Sequence, residues 1–176
     1  EFGPSRSDVP MVRSEQSVTI GAKSRDRVTQ TTFGLAYEGK WLDVGEFTAG
    51  LQKTRYTKTV VDPAPALAIP VVRDSPFLFS AAGALYVTPR LAAYASYTRG
   101  LEEAPVAPSN ALNINVAPPA IRTEQKDAGL RWKIGPEVTA VAGVFAVSKP
   151  FFNVDGAGDF RGLGTVRHRG VEFSLA

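Results

Sequence analysis

Along most of the chain, apolar and polar residues exchange at every second position. The spacing of an amphipathic helix, by contrast, is broken by Gly, Pro or β-favouring residues in nearly every window. From Thr31 onward, Phe33, Leu35 and Tyr37 share one parity, with Thr32, Gly34, Ala36 and Glu38 on the other. After Gly39-Lys40-Trp41-Leu42-Asp43 the alternation resumes: Phe47, Ala49 and Leu51 oppose Glu46, Thr48, Gly50 and Gln52, so the two runs predict a hairpin. A second pair, Phe77 to Val87 and Leu91 to Leu101, flanks Thr88-Pro89-Arg90, where proline pre-sets the bend. Its faces are less sharply sorted, since Tyr94 and Tyr97 fall on opposite parities.

The third pair is the cleanest. Ala128, Leu130, Trp132 and Ile134 alternate with Asp127, Gly129, Arg131 and Lys133, and Gly135-Pro136-Glu137 turns into the return strand Val138 to Ser148. A last segment, Thr165 to Leu175, sets Val171, Phe173 and Leu175 against His168, Gly170, Glu172 and Ser174, and a further strand is expected near Gln16 to Lys23. These runs are roughly ten residues long, against about five or six in a soluble sandwich and roughly 9 to 11 for a tilted strand crossing a bilayer. Tight turns at 39–43, 88–90 and 135–137 alternate with long links at 57–75, 102–122 and 150–164. That asymmetry is the one expected of an outer-membrane barrel, with short turns at one end and long loops at the other.

The sequence therefore reads as all-β: an antiparallel up-and-down transmembrane β-barrel segment of about seven or eight strands, with residues 1–176 forming one partial barrel. Its oily faces would meet outer-membrane lipid and its small or polar faces an interior. Gly34, Gly50 and Gly129 on the inner parity imply that something approaches the interior closely, and Tyr37, Trp41, Tyr56, Phe77, Phe79 and Trp132 suit interfacial girdles. Two alternatives stay open: a passive porin-like or adhesin barrel, and a soluble all-β binding module in which the faces of Phe33, Leu35, Phe47, Leu51, Leu130 and Trp132 would share a core.

Composition narrows the function classes. Hydrophobic residues make up 44% of the chain, yet the longest uncharged apolar runs, such as Ala64 to Val72, are far short of the roughly 18 residues a membrane helix requires. The absence of cysteine excludes disulfides and thiolate metal sites. The net charge of +3 is spread along the chain; Arg167-His168-Arg169 is the one dense basic cluster, which is not the footprint of a nucleic-acid surface. No metalloprotease helix, nucleophile elbow, phosphate-binding loop or dinucleotide fingerprint occurs, so neither enzymatic activity nor a cofactor is expected. His168 reads as a strand residue, and the adjacent Glu102 and Glu103 point to opposite faces and cannot act as an acid–base pair. Asn153-Val154-Asp155-Gly156-Ala157-Gly158-Asp159 resembles a calcium loop but lacks the distal bidentate Glu, so no metal is expected there. The first residues carry no export signal and the last is not aromatic, which leads us to expect a piece of a larger product whose open edges lipid cannot satisfy.

Four stretches together resemble the barrel of TonB-dependent siderophore-type receptors: Tyr94-Ala95-Ser96-Tyr97-Thr98-Arg99-Gly100-Leu101-Glu102-Glu103; Thr123-Glu124-Gln125 with Asp127-Ala128-Gly129-Leu130-Arg131; Gly143-Val144-Phe145 to Asn153; and Val166-Arg167-His168-Arg169-Gly170-Val171-Glu172. The resemblance runs from about Thr31 to the end. It implies a parent barrel of about 22 strands around an N-terminal plug. Such a parent sits in the bacterial outer membrane and imports ferric siderophores or other scarce ligands with energy delivered through TonB. Neither plug nor TonB box is visible here, so TonB would act through the plug region of the parent. Recognition residues concentrate on loops. The candidate ligand-binding residues are Asn110, Asn113 and Asn115 in the second link and Phe151, Phe152 and Asn153 in the third.

Overall fold

The computed structural model describes residues 24–61 and 69–176, so the strand expected near Gln16 to Lys23 lies outside the described residues. The strands are β1 (Arg25–Trp41), β2 (Gly45–Val61), β3 (Val72–Asp74), β4 (Phe77–Thr88), β5 (Leu91–Glu102), β6 (Ile121–Lys133), β7 (Thr139–Val154) and β8 (Phe160–Leu175). They form one antiparallel sheet in the order β1-β2-β4-β5-β6-β7-β8, with the short β3 also on β2. Each long strand is thus bonded to its sequence neighbour, the up-and-down connectivity of a barrel wall. No helix among the described residues is long and apolar enough to cross a membrane, which does not bear on crossing by strands.

The register explains the alternation. Leu35 faces Leu51, which faces Phe79, and further along Ala93 faces Leu130, Leu130 faces Ala142 and Ala142 faces Phe173, so the oily parities of all the long strands align on one side of the sheet. No second layer covers them. Phe33 is 75% exposed, Leu35 81% and Val171 82%, which removes the shared core that a soluble sandwich would need. Hairpin turns are short at one end, at 42–44, 89–90 and around 135–137; this is the turn end, and the opposite one is the loop end.

Several strands outrun their sequence-based bounds. β1 and β2 have 17 residues each, β7 and β8 16 each. At about 3.3 Å per residue they rise well beyond a hydrocarbon layer. The extensions are polar, as in Arg25–Thr32, and so carry no oily alternation. The third link shrinks most. Residues 150–154 continue β7 and 160–164 continue β8, leaving a turn over 155–159 in place of a long loop. The glycines that suggested a loop serve the pairing instead: Gly164, with φ 137°, lies opposite Phe151, and Gly162 lies opposite Phe152 across a register shift.

Tyr94 and Tyr97 do fall on opposite faces, and each has a structural role. Tyr97 stacks on Phe79 at 5.2 Å on the oily face. Tyr94 lies across the polar face, its hydroxyl over Gly129 of β6 and Gly143 of β7 and 3.5 Å from the Glu172 carboxylate of β8. A Cβ at either glycine would collide with that hydroxyl. Three strands are thereby tied by one ring resting in a glycine groove.

Gly143→Val should displace Tyr94 and destabilise the sheet by about 1–3 kcal/mol, whereas Gly156→Ala, where nothing lies within 4 Å, should be neutral. Thermal unfolding in detergent of the protein carrying each change measures both.

Candidate functional site

The buried residues lie at the loop end rather than between two layers. Tyr56, Lys58 and Val60 on the polar parity of β2 are buried together with Ala104, Ala107, Ala111, Ala117 and Ala120 of the link between β5 and β6. This ordered segment, 103–120, folds over the polar face. Lys58 secures it, donating to Glu103 Oε1 at 2.6 Å and to the Ala104 carbonyl at 2.8 Å, with Asp26 of β1 at 3.3 Å. A lysine side chain 1% exposed is tolerable only because its charge is paired and its donors used.

The other end of the segment reaches the β7–β8 turn. Asn113 donates to the Phe160 carbonyl at 2.9 Å and accepts from the Phe160 amide at 2.8 Å, and the Leu112 amide donates to the Gly158 carbonyl at 2.8 Å. Phe152 approaches Phe160 with ring centroids 6.2 Å apart. Two of the sequence candidates, Asn113 and Phe152, therefore meet at Phe160. Asn110 stays exposed in a turn, and Asn115 occupies the left-handed region at φ 64° with its amide bonded to the Ala107 carbonyl at 3.0 Å. Phe151, Phe152 and Asn153 lie on β7, not on a loop, because the strand keeps pairing with β8 through Val154. Asn153 caps its own strand end, accepting from the Val154 amide at 2.8 Å.

The calcium-like motif is a turn that consumes its own ligands. Asp155 accepts from the Ala157 amide at 2.9 Å and the Asp159 amide at 3.0 Å, and also pairs with Arg161. The Asp159 backbone bond and the Arg161 guanidinium hold its carboxyl below the usual carboxylate range. Among the described residues no group of three or more His, Cys, Asp or Glu side chains is placed to hold a metal ion.

Toward the turn end the polar face carries a second array. Arg131 donates to Glu46 at 3.1 Å, Ser96 to Asp127 at 2.9 Å and Gln125 to Asp127 at 3.0 Å. Glu46, Thr48, Ala82, Tyr94, Ser96 and Arg131 border a hollow of about 390 Å³. Sequence reasoning missed Lys58, because 57–75 read as a link, and missed the cross-strand pairing of Glu46 with Arg131, which sequence spacing does not encode. The buried alternation Thr54, Tyr56, Lys58 and Val60 was the available signal for the first.

An open wall of long antiparallel strands, oily on one face and polar on the other, defines the class: a segment of an up-and-down β-barrel. Among solved structures the chain is similar to the ferric preacinetobactin receptor BauA of Acinetobacter baumannii (24% identity, TM-score 0.68, covering 87% of this chain and 23% of that one). It is also similar to the alcaligin outer-membrane receptor FauA of Bordetella pertussis (14%, 0.66, 86% and 27%) and to the ferric-catecholate import receptor Fiu of E. coli K12 (12%, 0.66, 87% and 26%). The chain thus spans about a quarter of the length of these receptors, and what it shares with them is the fold. The sequence matches no protein-family model and no curated protein.

Because the folded pKa of Asp155 is depressed, its tie across the turn holds above the ordinary carboxylate pKa and is lost as pH falls through the lowered value. An NMR titration of its carboxyl carbon should show a midpoint below that of an unstructured aspartate, and Arg161→Gln should move the midpoint upward.

Proposed function

We propose that this chain is part of the membrane-spanning barrel of a TonB-dependent outer-membrane receptor, one that binds and imports a scarce ligand of the ferric-siderophore kind. One observation carries the reading: a single-layer sheet whose aligned oily face is left open, as lipid contact requires. The similar solved receptors support it, since those proteins are named for ferric or siderophore ligands. In this reading residues 1–176 are one partial barrel whose unpaired β1 and β8 edges are closed by further strands of the parent.

The two ends then take separate roles. At the loop end, the 103–120 segment and the β7–β8 turn present the ligand-facing surface, with Asn110, Asn113 and Asn115 on the segment and Phe151, Phe152 and Asn153 at its border. Lys58 and Asn113 hold that surface still, which lowers the ordering cost of binding. Toward the turn end, the charged array of Glu46, Arg131, Asp127 and Glu172 faces the lumen, where a plug domain linked to TonB would lie. The chain contributes recognition and containment, with no catalysis.

Deleting residues 108–118 from the full-length receptor should cut ferric-siderophore uptake at least tenfold while the amount of barrel in the outer membrane stays constant. Uptake of radiolabelled iron under iron limitation measures it. Unchanged uptake would remove this segment from the binding surface.

A further inference from the structure

At the loop end of the oily face the side chains change from apolar to basic within two residues, about 7 Å along each strand. Leu51 is followed on the same face by Lys53 and Arg55, Ala128 is preceded by Lys126, and Val171 is preceded by Arg169 and Arg167. Arg99 belongs to the same belt, and the cross-strand partners Lys126, Ala146 and Arg169 place it at one level across β6, β7 and β8. On this face of the long strands one acidic side chain occurs among the described residues, Glu124, and Arg99 lies 3.6 Å from it. The turn end of the same face has no such belt; Trp41, Leu85, Trp132 and Leu175 occupy it.

The cations sit directly on the aromatic edge of the oily band. The Lys53 ammonium lies 4.1 Å from the Phe77 ring centroid, the Arg99 guanidinium 5.9 Å from that of Phe79, and the Lys126 ammonium 5.8 Å from that of Tyr97. Such contacts fix where the charges stand without neutralising them. Arg55, Arg167 and Arg169 make no ion pair among the described residues, and all three are exposed.

We propose that this belt is a binding site for the phosphate groups of an anionic, phosphorylated lipid whose acyl chains lie on the band of Leu51, Phe79, Leu130 and Val171. Only a molecule carrying phosphate and hydrocarbon a few ångströms apart matches both halves of the surface at once. A soluble phosphate would use the cations and leave the oily band uncovered, and a neutral lipid would do the reverse. The proposal rests on the barrel reading and adds to it a charged leaflet preference at the loop end, so the sheet is polarised across the bilayer by its outer surface as well as by its loops.

The test uses the full-length protein purified in neutral detergent and offered bis-phosphorylated lipid A, its dephosphorylated form, or inorganic phosphate, with retention read by native mass spectrometry. Wild type should retain the phosphorylated lipid at least tenfold over the dephosphorylated one, and inorganic phosphate should not displace it. Lys53→Glu, Arg55→Glu, Lys126→Glu and Arg169→Glu combined should abolish that preference, and the corresponding Gln set should weaken it while heat-modifiable migration shows an intact barrel. Equal retention of both lipids, displacement by inorganic phosphate, or an unchanged preference in the folded Gln set would overturn the proposal alone. Failure of the wild type to enter micelles would instead overturn the barrel reading and the proposal with it.

Discussion

Everything in this chain follows from how a one-layer sheet satisfies its backbone. Lateral pairing consumes the amides and carbonyls of six strand–strand seams and leaves none for a second layer to satisfy. What remains is the disposition of side chains, and the period-two pleat sends every oily residue of a strand to one face. The open oily face is then not a defect of packing. It is a surface built for a solvent that is itself hydrocarbon, and the polar face is a surface built for water or protein.

Holding such a wall rigid without a conventional core requires local devices. Tyr94 lying over Gly129 and Gly143 locks three strands from the polar side, and the ion pair of Glu46 with Arg131 spans from β2 to β6. At the loop end a small core does form, under the 103–120 segment, and buried Lys58 fixes it by charge rather than by volume. The segment is thereby an ordered part of the wall, and its far end is fastened to the β7–β8 turn through Asn113 and Phe160. A surface that is fastened at both ends can recognise a ligand without first being ordered by it.

How much of this was legible in the sequence depended on what each strand faces. Where one face is oily, as in Phe33 to Tyr37 or Ala128 to Ile134, alternation located strand, face and hairpin partner. Where a strand leaves the oily band, as in Arg25–Thr32 and 53–61, both faces turn polar and the signal vanishes, so β1 and β2 read short. The three residues of β3 were below any periodic signal. Gly162 and Gly164 read as loop residues because glycine marks turns more often than it marks room for a facing ring, and that misplaced Phe151, Phe152 and Asn153. Of the candidate site, the 103–120 segment was legible as a link from its prolines and asparagines. Its anchoring was not, since Lys58 and Glu103 are brought together by register alone.

Site-directed spin labels would test the central claim most directly, placed one at a time in the full-length protein in bilayers. Positions 35, 51, 130 and 173 should be relaxed by oxygen, which concentrates in hydrocarbon, while positions 48, 82, 96 and 172 should respond to a water-soluble nickel chelate or to neither agent. If the first set were shielded from oxygen, or answered to the nickel chelate as strongly as the second, the oily face would not be meeting lipid and the barrel account would be wrong.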